Sequence, residues 1–84
     1  METTIRIRIK KELSSQQEKY ILQLKGAIIA KKYTEIIHIG DEDEAFYINY
    51  FKSSVTSKED AVLFINTYIQ ENNISEVANM VNSK

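Results

Sequence analysis

Residues Ile5-Arg6-Ile7-Arg8-Ile9-Lys10, led by Thr4, alternate without a fault between isoleucine and a basic side chain. In a strand, successive side chains point to opposite faces, so this run puts Ile5, Ile7 and Ile9 on one face and Arg6, Arg8 and Lys10 on the other. A helix would scatter both sets around its circumference. The segment therefore reads as a half-buried strand, and whatever packs on its isoleucine face must form the core. A chain of 84 residues has room for only one such core, because two would each fall below the size at which a domain without disulfides or metal usually folds. Residues 1–84 are accordingly expected to form a single α+β domain.

The rest of the chain supplies the partners for that face. Ser15 with Glu18, and Ser14 with Gln17 in the adjacent register, each make a capping box, so a helix is expected from about Gln16 to Lys32. Its buried stripe is Gln17, Tyr20, Ile21, Leu24, Ala27 and Ile28, and Lys31 and Lys32 suit its negative end. Leu22, Gly26 and Ile29 lie to one side of this stripe, which makes the apolar face wide or gives the helix a second contact. Tyr33–Ile39 and Ala45–Phe51 are rich in β-branched and aromatic residues and flank Gly40-Asp41-Glu42-Asp43-Glu44, which reads as an antiparallel hairpin turning at the glycine and the acidic run. Ser53-Ser54 ends the pattern. Ser57 with Asp60 then opens a second helix with Ala61, Phe64, Ile65, Tyr68 and Ile69 inward, and Asn72-Asn73 stops it. Ser75 is placed to cap a short helical tail carrying Val77, Met80 and Val81, and Asn82-Ser83-Lys84 is expected to fray.

The expected architecture is a three-stranded antiparallel sheet in β-α-β-β-α order, with both helices on one face and a short helical C-terminal tail. A right-handed connection through the first helix puts the third strand between the first two. This resembles the split arrangement of ferredoxin-like domains without its last strand, and it leaves residues 4–10 as an open edge on which a second copy or a partner can pair.

Three surfaces are candidates for function. The first is that edge. The second is the sheet face away from the helices, expected to display Arg6, Arg8, Lys10, Ile36, His38, Tyr47, Asn49 and Phe51, with Ile37, Ile39, Phe46, Ile48 and Tyr50 turned inward. Interleaved cations and rings at strand spacing neutralise phosphates and stack bases in single-strand-binding sheets. The motifs that mark RNA-recognition domains are nevertheless missing. The first thirty residues are superficially similar to a ribbon-helix-helix arm, but Tyr33–Ile39 is strand-like where that family needs a second helix. The third surface is the run Asp41, Glu42, Asp43 and Glu44, four mutually repelling carboxylates expected to add little to the fold and able to meet a basic partner. The run lacks the calcium-loop pattern.

Composition narrows the chemistry. There is no Cys and a single His, His38, which removes thiol chemistry and Cys- or His-rich metal sites. Two glycines, Gly26 and Gly40, provide no phosphate-cradling loop. No nucleophile, base and orienting group form a recognisable set, so the chain is expected not to be an enzyme and to need no cofactor. A formal charge of −1 argues against a uniformly basic surface, and the start of the chain has no secretion-signal pattern, which makes the cytoplasm the default. Richness in Ile, Lys and Asn is associated with AT-rich genes such as phages and plasmids carry. The sequence thus points to a protein-binding regulator or inhibitor, of the kind small anti-defence and immunity proteins represent, with a nucleic-acid-binding module as the alternative and no membrane partner.

Overall fold

The computed structural model describes residues 1–81. The fraying expected of Asn82-Ser83-Lys84 lies outside the described residues. In chain order the elements are β1 (Glu2–Lys10), α1 (Ser15–Ala30), β2 (His38–Asp41), β3 (Phe46–Ser54), α2 (Lys58–Glu71) and β4 (Ala78–Val81), with a 3₁₀ turn at Val55–Ser57 leading into α2. The sheet order is β2-β3-β1-β4 and every neighbouring pair is antiparallel.

Strand β3 does lie between β1 and β2, but the sheet has four strands rather than three, and the strand order differs from expectation because β4 stands outside β1. The expected helical tail is absent. Ser75–Val77 instead forms a turn closed by Val77 N–H and Ala78 N–H donating to Ile74 O, at 3.0 and 2.9 Å. Ala78 and Met80 then face Ile9 and Ile7 across the ladder. The i, i+3, i+4 spacing of Val77, Met80 and Val81 fits a helical turn, but so short a segment gains more by satisfying the backbone groups along β1 than by closing a helical turn of its own. Pairing of two copies through residues 4–10 therefore finds no open edge over Arg6–Ile9, which are bonded to β3 on one side and β4 on the other. The free edges are those of β2 and β4.

Both helices end where local chemistry dictates. The capping box of α1 uses the Ser14 register: Gln17 N–H donates to Ser14 Oγ and Ser14 N–H donates to Gln17 Oε1. At its far end Lys32 adopts φ 66°, Lys32 N–H donates to Ile29 O and Tyr33 N–H to Ile28 O, the paired bonds of a Schellman motif. Helix α2 ends the same way on Asn73, at φ 54°, with Ile74 N–H donating to Ile69 O and both isoleucines buried. The Asn72-Asn73 stop is thus realised as expected. Ser54, by contrast, supplies the side-chain cap, for the 3₁₀ turn, while Ser57 makes no capping bond to α2.

The core joins Ile5, Ile7, Ile9 and Phe51 of the sheet to Ile21, Leu24 and Ile28 of α1 and to Ala61, Ile65 and Ile69 of α2, with Ile74, Val77 and Ala78 closing it. The hydroxyl of Tyr68 donates to Tyr20 O at 2.9 Å and ties the helices together. Strand β3 runs in the opposite phase to that expected. Ile5 pairs with Phe51, Ile7 with Asn49 and Ile9 with Tyr47, so Tyr47, Asn49 and Phe51 face the helices while Phe46, Ile48 and Tyr50 share the outer face with Arg6, Arg8 and Lys10. A one-residue slip moves every side chain of a strand to the other face, and β3 is apolar in both phases, so its own pattern does not choose. The observed phase buries the all-carbon ring of Phe51 at mid-sheet and leaves the Tyr50 hydroxyl in water, where it needs no buried partner.

This phase makes a testable contrast. Phe51→Ala is expected to lower stability by about 3–5 kcal/mol, whereas Tyr50→Ala should cost under about 1 kcal/mol. Urea unfolding of the two variants checks it, and the reverse ranking would mean that β3 faces the other way.

Candidate functional site

The outer face of the sheet is built by the alternation of β1 and the phase of β3. No residue of either helix lines it, and it carries Arg6, Arg8 and Lys10 on β1, Phe46, Ile48, Tyr50 and Lys52 on β3, and His38 on β2. His38 and Tyr50 are cross-strand partners with stacked rings, centroids 5.2 Å apart and 24° between planes. Arg8 lies over the Phe46 ring, 4.4 Å from its centroid, and forms an ion pair with Glu42. Among the described residues the other ion pair is Lys11 with Asp41, at 3.1 Å, so Arg6, Lys10 and Lys52 keep their charge unpaired.

Of the sequence-predicted residues, Arg6, Arg8, Lys10 and His38 are therefore gathered on this face. Phe51 is not: it is fully buried in the core. Tyr47 is not there either, because the phase of β3 turns it to the helix side, where it is partly exposed with Lys11 Nζ 5.1 Å above its ring. Tyr50, Phe46 and Lys52 take the positions expected of Tyr47 and Phe51. They share a period of two, so the correct phase alone would have revealed all of them.

The acidic hairpin differs from its reading as idle charge. Gly40 sits within β2, opposite Ile48, and the turn falls after it. Asp43 Oδ1 accepts from Ala45 N–H at 2.8 Å and Phe46 N–H at 2.9 Å, which fixes the turn, while Glu42 and Asp41 hold Arg8 and Lys11. Three of the four carboxylates thus have structural partners, and Glu44 makes no ion pair or side-chain hydrogen bond among the described residues.

On the opposite face, a groove of about 380 Å³ runs between α1 and the β2–β3 part of the sheet. Its apolar wall includes Leu22, Ile39 and Tyr47, which are 62%, 57% and 38% exposed. Leu22, set beside the buried stripe of α1, is thus exposed on this wall. Asn49, on the floor, is only 2% exposed and its Oδ1 has no hydrogen-bond partner. Lys25 lines the same groove, and burial pulls its ammonium below the usual lysine range.

Among the described residues no three His, Asp or Glu side chains gather as a metal-binding group, and no helix is long and apolar enough to cross a membrane. Comparison with known protein families, with curated proteins and with solved structures finds no match to this chain.

The hairpin analysis gives a direct test. Asp43→Ala removes two hydrogen bonds to a charged acceptor and is expected to cost about 1–2 kcal/mol, whereas Glu44→Gln should stay within about 0.5 kcal/mol. Thermal unfolding of both variants distinguishes a turn fixed by Asp43 from one that merely carries charge.

Proposed function

We propose that this chain is a small non-enzymatic protein-binding module, a regulator or inhibitor that acts by covering an acidic surface of a larger partner with its outer sheet face. The observation that carries the reading is Arg6 and Lys52, without ion-pair partners among the described residues, beside the stacked His38–Tyr50 pair, with a third such cation, Lys10, further along β1 opposite Phe46, on a face with no helix over it. Of the three surfaces the sequence offered, the strand edge at Arg6–Ile9 is taken by β4 and most of the acidic run is engaged internally. The sheet face is the one left for a partner. Arginine and tyrosine are also the residue types in which protein-interface energy concentrates, because each offers a large contact area together with a polar handle.

Nucleic acid is the second reading, favoured by the same unpaired cations beside aromatic rings. The protein reading is preferred because the central guanidinium, Arg8, is held by Glu42 and the Phe46 ring, and Tyr50 already stacks on His38. Both groups would have to be released before meeting a phosphate or a base. Three phosphate-directed cations would give an affinity falling with salt at a log–log slope of about 2–3.

The test is capture by the tagged chain from nuclease-treated and untreated lysates of its source cell, using the wild type and the Arg6→Glu/Lys52→Glu double variant. A protein partner retained after nuclease treatment and lost from the double variant, with an unchanged circular dichroism spectrum, is the expected result. Loss on nuclease treatment, with a low-salt gel shift by the pure protein, would put the nucleic-acid reading in its place.

A further inference from the structure

We propose that two copies of this chain pair antiparallel through the outer edge of β4, joining two four-stranded sheets into one. The edge is separate from the sheet face assigned to a partner, and neither reading needs the other. The register of β4 on β1 decides which backbone groups are left over. Lys10 N–H donates to Val77 O at 2.8 Å, and Asn79 and Val81 stand opposite Arg8 and Arg6. Successive residues of an antiparallel ladder turn their N–H and C=O to alternate sides. Val77, Asn79 and Val81 therefore turn theirs to β1, and Ala78 and Met80 turn theirs outward. Ala78 N–H is taken by Ile74 O. Ala78 O and both backbone groups of Met80 have no partner among the described residues, and the group that satisfies such an extended edge is another strand.

The chemistry around the edge selects a second copy as that strand. Ala78-Asn79-Met80-Val81 carries neither charge nor proline, the usual guards of a sheet edge, whereas the free edge of β2 includes Asp41. Helix α2 and β4 run in opposite directions about the turn between them, which sets Lys58 beside Val81 and Glu76 at the far end of β4. A two-fold axis near Asn79 and Met80 exchanges those ends. Lys58 of each copy then meets Glu76 of the other, and neither has an ion pair of its own among the described residues. The same axis brings together the sides of α2 next to β4. Val62 and Asn66 line a hollow with Met80 and Val81, and Leu63, 67% exposed, lines the adjoining one with the same two α2 residues. In the pair the outer sheet faces are continuous, with the two β1 strands three interstrand spacings, or about 14 Å, apart.

Light scattering of the full chain over a range of concentrations, with amide exchange followed by nuclear magnetic resonance, tests the pairing. The mass should rise with concentration toward about 20 kDa, twice the 9.8 kDa of one chain. The Met80 amide should exchange at least tenfold more slowly in the dimer than after dilution to monomer. Leu63→Lys, a change outside the core, should raise the dissociation constant tenfold or more and leave the circular dichroism spectrum unchanged. Lys58→Glu and Glu76→Lys should each weaken the dimer, and the two together should restore most of it. A monomer at millimolar concentration, a dimer whose Met80 amide stays unprotected, an unchanged dissociation constant in Leu63→Lys, or a double charge variant no tighter than either single one would each overturn the proposal.

Discussion

Everything in this fold hangs on β1 being satisfied along both edges. Nine register pairs join it to β3 and four join it to β4, so the strand with the strictest alternation occupies the middle of the sheet. A central strand buries its backbone polar groups, and leaving them unpaired would cost more than any surface interaction of this molecule contributes. Once β1 is fixed there, its three isoleucines define the core side, and the helices can bury their stripes nowhere else. The basic residues of β1 are then forced together on the opposite face. The hydrophobic face and the cationic face are one feature seen from two sides.

Most of what the chain declares locally is what it builds, the cap expected of Ser57 at the start of α2 being the exception. The capping box before α1, the apolar stripes of both helices and the asparagine stop of α2 are short-range features whose energetics involve residues a few positions apart, and each is read correctly from its own segment. The phase of β3 and the fate of the last residues depend on partners far away in sequence. Phe46-Tyr47-Ile48-Asn49-Tyr50-Phe51 has an apolar or aromatic residue at nearly every position, so only pairing with β1 decides which set is buried. Likewise Ala78–Val81 has no helix or strand signature strong enough to act alone, and the unfilled edge of β1 makes it a strand. The candidate sheet face was therefore legible on β1 and at His38, and misread on β3.

The redistribution of charge follows from the same geometry. Antiparallel pairing brings the hairpin end of β3 beside Arg8 and Lys10, so carboxylates that look surplus in sequence lie within reach of cations from β1 and the segment after it. Such exposed pairs contribute little stability, on the order of 1 kcal/mol or less. Their larger consequence is to decide which cations stay available: Arg8 and Lys11 are engaged, and Arg6, Lys10 and Lys52 are left to define the field of the open face.

A fold in which propensity, patterning and capping agree so closely makes its exceptions informative. Asn49 breaks the apolar rule at a position flanked by Ile7 and Ile39, and Lys25 brings a charge into the side of a groove without a counter-charge among the described residues. Each costs the isolated chain something, because Asn49 leaves a buried carbonyl oxygen without a donor and Lys25 gives up part of the hydration of its ammonium.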